Sequence, residues 1–71
     1  MTPLGLYLAK KSASKAEIAK KTGLSKSRLS ELTNKANAHL RARELYLIAL
    51  ALDADPGEMF RELFKGEKLP G

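Results

Sequence analysis

The chain has no cysteine. That excludes disulfide staples and thiolate metal sites and makes a reducing cytosol the comfortable compartment. It also lacks long apolar runs. The longest, Leu45 to Leu52, falls well short of the roughly 18–20 apolar residues of a spanning helix. In the opening MTPLGLYLAKK the lysines follow the apolar residues, the reverse of a secretory signal, so this segment is read as part of the fold. Acids are scarce at the front: residues 1 to 43 hold ten Lys/Arg against only Glu17 and Glu31, a net of +8. The remaining residues carry a net of −3, which leaves +5 for the whole chain. A basic front and an acidic back suit a protein that meets a polyanion with one side only.

What is present is a single small domain's worth of sequence. Its 71 residues are near the lower end of what one apolar core supports unaided. Hydrophobic residues make up 44% and charged residues 30%, with a mean hydropathy of −0.30, which indicates a soluble globular chain rather than a disordered one. There are no repeats and no low-complexity segment. A domain over residues 1–66 with a short flexible tail at 67–71 is expected, since the tail carries Pro70 and Gly71 and little that is apolar.

The pattern predicts an all-α chain of five helices. Thr2 caps the first and Pro3 suits its first position, where a missing N–H costs nothing. Leu4 and Leu8 stack on one face until Lys10-Lys11-Ser12 ends the apolar pattern. Ser14-Lys-Ala-Glu17 forms a capping box for the second helix, and Gly23 ends it at a left-handed position. Ser25 caps a third helix over about 26 to 33. A loop, Asn34 to Leu40, leads to a fourth helix, about Arg41 to Leu52, with Leu45, Ile48, Ala49 and Leu52 at core spacing. Asp53 to Asp55 stop it, and Pro56 starts a fifth helix with Met59, Phe60, Leu63 and Phe64 on its apolar side.

The second and third helices are joined by only three or four residues, which forces them to cross steeply. Ile18, Leu24, Leu29 and Leu32 fall inward, and Ala19 is small where the two helices touch. Lys15, Lys26, Ser27, Ser30 and Glu31 stay out. Such a helix–turn–helix with a basic, polar outer face is shaped to enter a DNA major groove.

Residues Lys15 to Asn34 resemble the helix–turn–helix of the lambda-repressor-like family, the Cro and XRE-type bacterial and phage regulators. The likeness lies in Ile18-Ala19, Gly23-Leu24-Ser25, Leu29 and Leu32-Thr33-Asn34. It extends to Ile48–Leu52 and to Asp55-Pro56-Gly57-Glu58-Met59-Phe60, so that it spans Leu4 to about Phe64. The chain departs from the family's habit in three places. Lys15 stands where glutamine is frequent, the loop Lys35–Leu40 is about two residues longer than the family's habit, and Asp53 replaces a common glycine. The resemblance implies a compact five-helix lambda-repressor-like fold, double-stranded DNA as partner, no cofactor, and a cytoplasmic protein encoded by a bacterium or phage.

The same resemblance implies Lys26, Ser27 and Glu31 as base readers, with Ser30 nearby. The chemistry agrees: lysine donates to guanine O6 or N7, serine donates or accepts, and a carboxylate accepts from cytosine N4. Glu31 has a second reading, an exposed pair with Arg28 or Lys35 worth tenths of a kcal/mol. Lys15, Asn34 and Lys35 are candidates to clamp phosphate, and Arg28 at the edge of the outward face reaches phosphate or only solvent. Lys10, Lys11, Arg41 and Arg43 extend the basic surface.

No Ser–His–Asp set, glycine-rich phosphate loop or zinc spacing occurs, and His39 is the only histidine, so no enzyme is expected. The fourth helix is apolar all round. A homodimer through the surface of the fourth and fifth helices, its partner covering Tyr46, Leu47 and Leu50, is expected, against a monomer that leaves a few leucines exposed. The competing function is a protein-interaction module that kept the fold and lost DNA reading.

Overall fold

The computed structural model describes every residue, Met1–Gly71. It is all-α, with α1 Pro3–Lys10, α2 Lys15–Thr22, α3 Lys26–Asn34, α4 Ala42–Ala51 and α5 Pro56–Phe64. The core draws on all five: Leu4 and Leu8 from α1, Ile18 from α2, Leu29 and Leu32 from α3, Leu45, Ile48 and Ala49 from α4, and Met59 from α5. Ala19 and Leu24 pack against its edge from the helix–turn–helix. α1 and α2 both lie against α3, α4 packs on α2, and α5 closes the bundle against α4 and α1.

Local chemistry starts and stops these helices. The Thr2, Ser14, Ser25 and Asp55 side chains accept from the N–H groups of Gly5, Glu17, Arg28 and Glu58 at 3.1, 3.3, 3.0 and 2.9 Å. Of the expected box at Ser14 and Glu17, the structure makes this half, from the serine oxygen to the glutamate N–H. Two helices end in left-handed residues other than glycine, Ser12 at φ 52° and Asp53 at φ 56°. Each sits in a Schellman turn. Ala13 N–H donates to the Leu8 carbonyl at 3.0 Å, and Ala54 N–H to the Ala49 carbonyl at 2.9 Å.

α1 is bound to α3 by an arrangement of small polar groups. The Thr2 hydroxyl donates to the Leu32 carbonyl at 2.7 Å and the Thr2 N–H to the Thr33 carbonyl at 3.0 Å. The last carbonyls of α3 thus find donors in the start of α1. Gly5 permits the approach, because a Cβ there would strike the Thr33 carbonyl oxygen. Thr33 itself is buried, its hydroxyl donating to the Leu29 carbonyl at 2.9 Å.

α5 corrects one sequence expectation. Met59 is fully buried and Leu63 half-buried, but Phe60 is 55% and Phe64 39% exposed. The two rings stack on one another on the outer face, centroids 5.0 Å apart. As the last helix, α5 has the core on one side only, and residues 60 and 64 point about 100° away from 59 and 63. On α4, Tyr46 and Leu50 are half exposed, whereas Leu47 is partly covered by the fold itself. No helix is long and apolar enough to cross a membrane.

Candidate nucleic-acid interface

The turn between α2 and α3 is stapled by a side chain that sequence reasoning passed over. The Thr22 hydroxyl donates to the Ile18 carbonyl at 2.7 Å and accepts from Leu24 N–H at 3.1 Å. It thereby ties the end of α2 to Leu24 in the middle of the turn. Gly23 supplies the reversal with φ 81°. Its missing Cβ faces open space, so glycine is needed here for backbone conformation alone. Leu24 turns inward and Ser25 caps α3.

With Leu29, Leu32 and Thr33 buried, the helical period turns Lys26, Ser27, Ser30, Glu31 and Asn34 to the opposite side, and all five are exposed. Four of them are the expected base readers, brought together on one stripe of α3. Lys15, first residue of α2, and Lys35, just past α3, are also exposed, near the two ends of the helix pair. Asn34 Nδ2 lies 3.4 Å from Ser30 Oγ, which links one clamp candidate to the stripe. The N-terminus of α3 presents free N–H groups beside Lys26, a setting favourable to anions.

Arg28 is placed otherwise. Its Nε and Nη2 donate to the Glu44 carboxylate at 2.8 and 3.0 Å, and Nη2 also donates to the His39 carbonyl at 2.8 Å. Nη1 lies 3.5 Å from Glu31 Oε1. Instead of standing free for phosphate, the guanidinium bridges α3, the following loop and α4. It is consequently held protonated more firmly than usual, chiefly by the hydrogen bond to Glu44.

Glu44 is a residue the sequence analysis counted only as charge. It is buried at 5% exposure and accepts both from Arg28 and from the Arg41 N–H, the latter at 2.9 Å. The Arg28 hydrogen bond first, and the Arg41 N–H after burial's opposing effect, hold its carboxyl below the ordinary glutamate range. Its position three residues beyond the helix cap was the available signal, since a glutamate there is suited to reach back to the cap N–H. Which arginine it would meet was not legible. Beside Arg28 lies an open polar notch of about 420 Å³, lined also by Glu31, Lys35, Asn37, Ala38, His39 and Arg41.

A family model described as the Cro/C1-type HTH DNA-binding domain matches residues 4–61. No curated protein and no solved structure matches the chain.

Proposed function

The chain belongs to the Cro/C1-type helix–turn–helix DNA-binding family, and on that premise we propose that it is a sequence-specific regulator of transcription that reads an operator's major groove with α3. The observation that carries this reading is the exposed stripe of Lys26, Ser27, Ser30 and Glu31 on a helix whose other side is buried. Those side chains offer a cation, two hydroxyls and an acceptor, a set able to distinguish base edges rather than only adhere to phosphate. Lys15, Asn34 and Lys35 contact the backbone in this reading, and the front-loaded charge of residues 1 to 43 supplies the long-range attraction. Arg28 is removed from the phosphate set because Glu44 and the His39 carbonyl already occupy it.

Two copies act together in this proposal, paired through the exposed Tyr46 and Leu50 of α4. Two-fold pairing would set the reading helices about one DNA turn, roughly 34 Å, apart. Selection of bound duplexes from a random pool tests both ideas together. A pseudo-palindromic sequence whose preference persists at high salt is expected. Binding that ignores sequence and vanishes with salt makes the protein a non-specific binder, and no binding at all leaves the interaction-module reading. Lys26→Ala should relax preference at one base pair by about 1 kcal/mol, less than a bidentate contact provides; an equal loss on every duplex would move Lys26 to the phosphate set.

A further inference from the structure

A continuous run of polar contacts leads from the buried start of α4 to one exposed carboxylate on the reading side of α3. Glu44 receives the Arg41 N–H at 2.9 Å and grips Arg28 with both oxygens. The His39 carbonyl takes a further guanidinium hydrogen at 2.8 Å. These bonds leave Nη1 directed at Glu31, 3.5 Å away. Glu31 is about half exposed and keeps its outer oxygen free.

Building on the operator-reading role above, we propose that Arg28 is a positioning residue for base recognition: anchored by Glu44 and the His39 carbonyl, it holds the Glu31 carboxylate on the reading side of α3, where it selects a cytosine. The physical case has two parts. An unrestrained glutamate on an exposed helix samples several rotamers, and Lys35, four residues on, competes for it. Immobilising such a side chain at the moment of binding costs about two- to tenfold in affinity, a loss the fixed guanidinium reduces beforehand. The second part is charge. A carboxylate entering the groove is repelled by phosphates, and an adjacent cation offsets that repulsion without itself leaving the protein surface.

Base choice follows from the acceptor-only chemistry of a carboxylate. Guanine and thymine present O6, N7 and O4 acceptors that repel it. Adenine offers its N6 amino group but sets N7, an acceptor, directly beside it. Cytosine N4 has no neighbouring acceptor on its own major-groove edge, so it is the base Glu31 selects.

The test runs the random-pool selection in parallel on the wild type, Arg28→Lys and Glu31→Gln at two salt concentrations. The wild type should enrich cytosine at one position per half-site. Lysine keeps the charge but cannot reach Glu44, the His39 carbonyl and Glu31 together, so Arg28→Lys should lose about two- to tenfold of that one preference. Its salt slope should match the wild type, because the charge count is unchanged. Glu31→Gln should shift the same position toward adenine, which pairs with an amide through N6 and N7. An Arg28→Lys protein that retains the cytosine preference, or weakens equally on all sequences, overturns the positioning role while leaving operator reading intact. A wild type that enriches nothing overturns operator reading itself. Should Arg28→Lys melt below the assay temperature, the Arg28 side-chain N–H resonances of the wild type decide. Those of Nη1, which faces Glu31, should move on adding operator and not on adding random duplex; a shift shared by both would mark a phosphate contact, and no shift on operator would show Glu31 unengaged, either of which overturns the proposal.

Discussion

Gly5 sits where α1 crosses the C-terminal end of α3, and the space for a single methyl group is taken there by the Thr33 carbonyl oxygen. Gly5→Ala must therefore separate the helices or bend the start of α1, although alanine is intrinsically the better helix former. The packing loss is expected to win, costing about 1–3 kcal/mol, which thermal denaturation would read as a drop of at least about 4 °C. A Gly5→Ala protein that melts higher would show the contact to be soft. Asp53 presents the opposite case. It holds φ 56° in a Schellman turn where a Cβ is a burden. Asp53→Gly should raise stability by about 0.5–1 kcal/mol, seen as a higher urea midpoint at unchanged slope.

At the scale of elements, the main question is what fixes α3 relative to α4, since the long loop between them gives the core only Ala38 and Leu40. The answer is Glu44, which holds Arg28 on one side and its own helix cap on the other. Its folded pKa is depressed, so its stabilisation is complete above the pKa of the unfolded chain and lost as pH falls through the lower folded value. Glu44→Gln should cost about 1–3 kcal/mol near neutrality and flatten the acid side of the stability profile. Urea melts between about pH 7 and pH 3 check both statements; parallel acid limbs for the two proteins would remove Glu44 from the account. The same logic explains why the helix–turn–helix was legible in the sequence while its bracing was not. Gly23, Ser25 and the inward leucines announce themselves through local spacing. Thr22 and Glu44 act through partners that only the folded chain brings near.

For the whole molecule, size and charge set the terms. Nine buried apolar residues form the core, while Tyr46, Leu50, Phe60 and Phe64 stay partly exposed on the surface. The α4 pair is assigned to a second copy, and Leu50→Glu is the appropriate probe because Leu50 is half exposed, whereas a charge at the partly buried Leu47 would disturb the monomer. Sedimentation should show Leu50→Glu shifted toward monomer, still folded cooperatively, and with a melting temperature that no longer rises with protein concentration. A wild type that is monomeric at all concentrations tested would end the dimer proposal.

The order of residues, by itself, determined five helices, the caps of the first three and the inward faces of α1 to α4, because those features depend on neighbours within a turn or two. It also determined which side of α3 would be polar, since the buried Leu29 and Leu32 leave the helix no other orientation. Only the tertiary structure decided the fate of Arg28, the burial of Glu44, the exposure of Phe60 and the need for glycine at position 5. Each of these depends on which side chain from a distant segment arrives at a given spot, and that is set by how whole helices pack.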